Sequence, residues 1–459
     1  MEISLQPRTL FDLAIDSYVE RIISFCYNIA ESRSENKLYI AQECRLRLQS
    51  EISSLPALLR EIVTNKIMNG VPAYTHQWLK PLGPEARTYA LNIIIQQNIQ
   101  SLHINLNKDP PCERAYFRHQ HDYCIKLQTL NNLKIIRIGS YACFNEQVIF
   151  PVNLEEFSIP NCFITDAALE NLAISCPKLK HLNIYNCAGI TSNFINGISK
   201  CINLETLSMQ FVKLLDADFM ELLKLLKENK QHSPGNNVPT LKRLECGHLS
   251  SDHLHYLSEN FPRLERLHMF YSEQTDLQTL STISQIKQIG FTTHPPLRKF
   301  AFENFPQILD SKLLELHILA LELMFTGNEN HSWPMLKYLT LNFVDSELPY
   351  PRNCIKYESL SQFHAIETLE IIMPSKLHQA FQVFHYVISK CINLKTIWLK
   401  CLTYTAKLMY TSLIKLMDDI KTKELQHLEI IRMSPRPEGD HDLLAKKLIG
   451  VCPKLRVVV

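Results

Sequence analysis

Four residues of this chain have the ligand chemistry of a structural zinc: Cys112, His119, His121 and Cys124 fall within one polar segment. Two thiolates and two imidazoles are a usual tetrahedral zinc set. Their spacing, Cys-x6-His-x-His-x2-Cys, matches no common finger, so an ordinary loop without metal is expected there, with Arg114, Arg118 and Lys126 as solvated surface. The chain has 14 cysteines. A nucleophilic thiol needs a positioned base and a lowered pKa, and no base is spaced to serve one of these. With 11 glycines the chain contains no Gly-x-x-x-x-Gly-Lys or Gly-x-Gly-x-x-Gly cradle for phosphates. It also lacks a Gly-x-Ser-x-Gly elbow and a His-Glu-x-x-His helix. The sequence predicts no catalytic residues, no metal and no cofactor, and hence no enzyme.

What recurs instead is a pattern of apolar positions. Ser-Lys-Cys-Ile-Asn-Leu occurs twice, at 199–204 and 389–394, each time opening Leu-x-x-Leu-x-Leu or a close variant. Clear copies begin at Leu133, Leu154, Leu179, Leu204, Leu264, Leu336, Ile366, Leu394, Leu425 and Leu455, with looser ones at Ile99 and Leu241. Self-similarity at such a period means one supersecondary unit stacked many times. Alternation at the end of each unit marks a short strand with one buried face. Between strands lie segments such as 164–175, where Thr165 and Asp166 can cap a first turn and Leu169, Leu172 and Ala173 follow at helical spacing. Cys176, Cys201, Cys391 and Cys452 hold one recurrent place and read as small buried apolar residues.

The expected fold is therefore α/β: a solenoid whose curved parallel sheet is backed by outer helices, with about 12 repeats over residues 96–459. The repeats become irregular near 275–330, where Ile286-x-x-Ile289 and Leu297-x-x-Phe300 are crowded, and Gln231–Pro239 reads as a polar loop. If the repeated apolar residues point inward, the residues between and beside them face outward on the concave side. That set includes His181, Asn183, Tyr185, Gln210, Arg266, His268, Phe270, Tyr338, Trp398 and Lys400, types that carry binding energy at interfaces. They are the candidate target-binding residues.

Residues 1–95 differ in character and read as a small all-α module. Positions 9–23 form a helix with two apolar stripes, Leu10, Ala14 and Tyr18 on one, Phe11, Ile15, Val19 and Ile22 on the other. A helix apolar on two sides needs two partners. A second helix opens at Ser54-Leu-Pro-Ala-Leu-Leu, with Pro56 suited to its first turn.

The repeat pattern, with Cys-x-x-Leu-x-x-Leu-x-Ile-x-x-Cys at 176–187, resembles the cysteine-containing leucine-rich repeats common in substrate receptors of ubiquitin ligases. The two N-terminal helices in this order resemble the von Hippel–Lindau-type box of elongin-linked, zyg-like receptors. The first half fits Thr9 and Leu10, with Ala14 where cysteine is usual and Tyr18 where an aliphatic is usual; the second fits Leu55, Pro56, Leu59 and Ile62. The resemblance implies that Leu10, Phe11, Ala14 and Tyr18 dock on an adaptor, elongin B/C, and that Leu55, Pro56, Leu59 and Ile62 select a cullin. Leu55-Pro-x-x-Leu-x-x-x-Val63, with Trp78 beyond it, also resembles an F-box, which implies a different adaptor with a cullin. A third alternative is that both helices merely cap the first repeat and the chain is a stand-alone interaction scaffold.

Net charge is +2, with acidic and basic residues mixed throughout, so neither nucleic acid nor an anionic membrane is an expected partner. The start lacks a basic stretch followed by an apolar core, and the most apolar stretch, 313–325, is interrupted by Glu315, His317 and Glu322. A cytoplasmic or nuclear protein is expected. The final strand pattern ends without a polar cap, which suggests self-association there or a longer form.

Overall fold

The computed structural model describes residues 14–22, parts of 47–63, 99–105, 127, 130–139, 143–232, 238–271, 277–293, 299–301, 313–320, 322–324, 335–343, 365–373, 391, 393–401, 428–434 and 457–458. Two compact units contain them, divided between Gly247 and His248.

In the unit ending at Gly247, parallel strands follow one another in chain order: β1 (Ser101–Asn105), β2 (Ile135–Gly139), β4 (Glu156–Ser158), β6 (His181–Asn183), β7 (Thr206–Ser208) and β8 (Arg243–His248). Leu102, Ile136, Phe157, Leu182, Leu207 and Leu244 stand opposite one another in register, and each is 0–1% exposed. This is the second leucine of every repeat, stacked into a continuous core row. A side chain of this size contributes roughly 1.5–3 kcal/mol when fully buried. Two shorter strands, β3 (Cys143–Phe144) and β5 (Phe163–Ile164), pair beside the main sheet. The return segments are α1 (Asp166–Ser175), α2 (Phe194–Ile198) and α3 (Asp216–Gln231). As the sequence predicts, Thr165 caps α1, its hydroxyl accepting from the Ala168 amide at 3.2 Å, and Leu169, Leu172 and Ala173 are buried. Helix α3 carries the chain to Gln231, the first residue of the expected loop.

In the unit from His248 onward, α4 (Ser251–Asn260) precedes β9 (Arg266–Tyr271), β10 (Gln288–Thr293), β12 (Glu315–Ala320), β14 (Tyr338–Phe343), β15 (Thr368–Met373), β16 (Thr396–Cys401), β17 (Ile430–Ser434) and β18 (Val457–Val458). The core row continues as Leu267, Ile289, Leu316, Leu339, Leu369 and Ile397 in register. Two repeats of that region are regular among the described residues: Ile286-x-x-Ile289-x-Phe291 and Leu313-x-x-Leu316-x-Ile318 supply six residues exposed by 1% or less. The second copy was hidden because its apolar residues run straight on into the next segment. Beside the main ladder, β11 (Lys299–Ala301) pairs with β13 (Glu322–Met324). A parallel ladder built on Leu-x-x-Leu-x-Leu, one strand per repeat and helices in the returns, is the leucine-rich-repeat fold.

Four residues of the first hexapeptide copy have defined roles. Cys201 and Leu204 are core. The Asn203 amide donates to the Pro177 carbonyl of the preceding repeat at 3.0 Å, as Asn153 does to Asn131 at 2.9 Å. Lys200 pairs with Glu170 on the previous helix at 2.8 Å. Among the described residues Cys176, Cys187, Cys201 and Cys391 are buried thiols outside any disulfide. Burial pushes Cys187 up to about 11 and both Cys176 and Cys201 up to about 12, so they are neutral packing groups. Cys187 donates to the Ile159 carbonyl at 2.9 Å. Cys452 lies outside the described residues.

One further periodicity sits just before the strands. The residues there are Lys134, Glu155, Lys180, Glu205 and Lys242 in one unit, then Glu265, Lys287, Leu314, Lys337, Glu367, Lys395 and Glu429 in the other. From Lys134 onward charge alternates from repeat to repeat, broken at Leu314; before β1 the place is held by the uncharged Gln100. The pairs Lys180–Glu155 (2.8 Å), Lys242–Glu205 (2.7 Å), Lys287–Glu265 (3.3 Å) and Lys395–Glu367 (2.9 Å) close across neighbouring strands. Hydrogen bonds from Lys180, Lys242 and Lys395 hold the carboxyls of Glu155, Glu205 and Glu367 below their ordinary range. A lowered carboxyl contributes stability that is complete above its unfolded pKa and is lost as pH falls through the folded value. Glu205→Gln is therefore expected to cost up to about 1 kcal/mol at neutral pH. The gap to wild type should close as pH falls from the ordinary carboxylate range, about 4–5, through the lower folded value. Urea denaturation across that range checks it; a pH-independent gap would show that the pair contributes nothing.

Candidate functional site

The first candidate surface is the N-terminal helix pair. In the helix at residues 14–22, Ile15, Val19 and Ile22 are buried, Ala14 is exposed and Tyr18 is half-buried. Burial, then the nearby Glu51 carboxylate, raises the Tyr18 phenol. Arg21 reaches Glu51 at 2.9 Å, tying this helix to the 47–63 region. There Ile52 and Val63 are buried, Leu55, Leu59 and Ile62 are half-buried, and Pro56 is exposed. The Arg60 amide donates to the Pro56 carbonyl at 2.9 Å, the first turn that a proline favours. One stripe of the first helix is thus core, and its other stripe carries the accessible residues. Leu10 and Phe11 lie outside the described residues, as do Thr9 and Trp78.

The second candidate is the sheet face opposite the core, which must be built unit by unit. In the first unit it carries a lattice of hydrogen-bonded polar groups, with the buried Gln210 Nε2 left without a partner. Arg137 donates to both oxygens of Glu156, at 2.5 and 2.8 Å. Hydrogen bonding to Glu156 raises the Arg137 guanidinium. His181 Nδ1 lies 3.0 Å from the Thr206 hydroxyl. The Asn183 side chain accepts from the Tyr185 amide at 3.0 Å. Ser208 donates to Glu245 at 2.5 Å, and Arg243 Nε to the same carboxylate at 2.8 Å.

At the ends of these strands the chain turns through left-handed residues. Asn161 (φ 59°) and Asn186 (φ 51°) occupy the position that suits asparagine, and their side chains bond to each other at 2.8 Å. In the next repeat Phe211 stands there (φ 63°), edge-on to Tyr185 with ring centroids 5.3 Å apart. Gln210, expected outward and accessible, is 3% exposed. It holds the last position before that turn, flanked by Phe211 in sequence and by Tyr185 across the ladder, where strict alternation no longer governs exposure.

In the second unit Arg266 is exposed, as expected of the outward row. His268 Nε2 lies 3.0 Å from the Thr292 hydroxyl, and its ring covers Gly290, where a Cβ would come within 2.7 Å of the imidazole. Gln288 Nε2 and His317 Nε2 are 2.6 Å apart, and the His317 ring leans on Tyr338 with centroids at 5.5 Å. Phe270 is a second correction: although it alternates outward it is buried, with His248 edge-on at 5.4 Å.

On the same face Glu370 gathers three donors. Its side chain is 9% exposed. The Tyr338 hydroxyl donates to Oε2 at 2.7 Å, the Thr340 hydroxyl to the same oxygen at 3.3 Å, and Lys400 Nζ lies 2.5 Å from Oε1. Lys400 also sits over the Trp398 ring, 3.9 Å from its centroid. Burial by itself would raise the Glu370 carboxyl, but the donors from Lys400, Tyr338 and Thr340 together hold it below its ordinary range. Burial, then the bond to Glu370, raises the Tyr338 phenol. Tyr338, Trp398 and Lys400 thus share one face, and the residue that joins them sits between the repeated leucine and isoleucine of β15. A charged residue at that place in Leu-x-Ile was the available signal.

Among the described residues no group of three or more His, Cys, Asp or Glu could hold a metal ion. Cys112, His119, His121 and Cys124 lie outside them.

No family model matches the sequence, and no curated protein matches it. Among solved structures the chain is similar to an internalin from Listeria monocytogenes, 12% identical over 72% of this chain and 81% of that one, with a TM-score of 0.33. It is also similar to a chain of the Rad7 and Elc1 complex in yeast, 14% identical over 90% and 95%, with a TM-score of 0.38. A third likeness is to a chain of a complex of Latrophilin 3, Unc5D and the leucine-rich-repeat protein FLRT2, 12% identical over 76% and 87%, with a TM-score of 0.24. Strand register and core row give this chain a leucine-rich-repeat fold.

Proposed function

We propose that the protein is a non-enzymatic substrate-recognition subunit of a cullin–RING ubiquitin ligase, acting in the cytoplasm or nucleus. The observation that carries this reading is the division of the first helix into a buried stripe, Ile15, Val19 and Ile22, and an accessible one containing Ala14 and Tyr18. A helix serving only as a cap has no use for a second apolar stripe. Under this reading Leu10, Phe11, Ala14 and Tyr18 dock on elongin B/C, while Leu55, Pro56, Leu59 and Ile62 meet the cullin. The outward sheet face holds the target protein. The receptor then acts by proximity, raising the effective concentration of a target lysine near the charged conjugating enzyme.

Leu10→Asp combined with Ala14→Asp tests this. In pull-downs from cells the wild-type chain is expected to recover elongin B and C with a cullin. The double variant, folded by circular dichroism, is expected to lose them, since two carboxylates cannot be buried in an apolar cleft without partners. Recovery of an F-box adaptor with a cullin would favour the other box. Recovery of no ligase subunit by wild type would leave a leucine-rich-repeat scaffold with a helical cap.

A further inference from the structure

We infer that Glu370, Trp398 and Tyr338 form a built site for a cationic side chain, held in the free protein by Lys400 as an intramolecular place-holder, and that a Lys or Arg of the bound target takes Lys400's place. The inference rests on the reading above that the outward face holds the target.

Register places the parts. Thr340, Glu370 and Trp398 stand directly opposite one another on β14, β15 and β16, while Tyr338 and Lys400 occupy the diagonals. A carboxylate next to the π-face of an indole is the complement of an ammonium or guanidinium group, which gains from the charge and from the ring quadrupole together. Burying a carboxylate on a sheet face adds little to stability, because its desolvation offsets the ion pair. Its position is better explained by recognition than by bracing.

Two features make Lys400 exchangeable. First, Glu370 does not depend on it for position: the Tyr338 and Thr340 hydroxyls hold Oε2, leaving Oε1 to the cation. Secondly, the Lys400 side chain is 33% exposed against 9% for Glu370, so the ammonium can swing into water on its unbranched stem while the carboxylate stays. An incoming cation meets the same oxygen and the same ring, and the carboxylate is never left buried without a partner.

The test uses the full chain and n-butylammonium chloride as probe, with 1-butanol as the neutral isostere and sodium chloride to match ionic strength. Lys400→Met, which keeps the stem on the indole and removes the charge, is expected to bind n-butylammonium about tenfold more tightly than wild type, the equivalent of the cation–π contribution. The tightening should vanish in Lys400→Met/Glu370→Gln, and 1-butanol should not reproduce it. Equal affinity in all three proteins, or no gain in Lys400→Met, overturns the inference. Should Lys400→Met not fold, Lys400→Gln replaces it with the same expectation. Should neither fold, restoration of folding by n-butylammonium supports the site and its absence overturns it. A lysine-containing peptide should behave as the probe does, and its norleucine analogue should not. Failure here with elongin recovered from cells would refute the cation site alone; the reverse result would refute the ligase reading alone.

Discussion

Phe157→Ala is expected to lower stability by about 3–5 kcal/mol, the usual cost of emptying a phenylalanine site in a core that cannot collapse. Phe157 is fully buried in the core row between Ile136 and Leu182. Its ring meets Phe144 edge-on at 5.3 Å and Phe150 edge-on at 5.2 Å. Each neighbouring strand is fixed by its own leucine and by the backbone ladder, so the walls cannot move in to fill the space. Phe163→Ala is the control: that ring is 40% exposed, and its loss should cost less than about 1 kcal/mol. Urea denaturation with an unchanged m-value would measure both. A loss below about 1 kcal/mol at Phe157 would mean that the aromatic cluster is not the packed core described here.

Gly189→Ala is expected to cost about 2–4 kcal/mol, from a left-handed backbone and a steric conflict together. The φ of Gly189 is 85°, and a Cβ there would lie 2.7 Å from the Phe163 ring and 2.8 Å from the Ile164 carbonyl oxygen. The ring can turn aside; the carbonyl cannot, because Ile164 is held in the short ladder with Phe144 and Ala188. Gly189→Ala/Phe163→Ala should therefore recover only the part of the loss due to the ring. A double-mutant cycle in urea separates the two parts, and full recovery would show that the carbonyl contact is not limiting. At Gly290 the outcome differs in kind. There the conflict is with the His268 side chain alone, so Gly290→Ala displaces that ring from Thr292 and alters the outward face.

How much of this was legible in the chain varies with the distance between the residues involved. Thr165 as a cap, the buried Leu169 and Leu172, and the cysteines as packing groups all follow from neighbours a few positions apart. The outward row was legible as a row, since alternation along a strand is a local property. Exposure within the row was not. Gln210 is buried at the turn where alternation no longer governs exposure, and Phe270 obeys the alternation yet is buried, because the His248 ring that meets it belongs to another segment. Glu370 escaped for the same reason: its donors come from β14, 30 and 32 residues away, and from the far end of β16.

The amino-acid sequence by itself determined the repeat, its period, the core row and the alternating charges ahead of the strands, because each is set by side-chain type at fixed spacing. The tertiary structure alone decided which outward residues face solvent. It joined Tyr338, Glu370, Lys400 and Trp398 into one site, and it showed which stripe of the first helix the described core uses. Those depend on which side chains of neighbouring strands and turns cover each outward position, and spacing along one strand does not encode that.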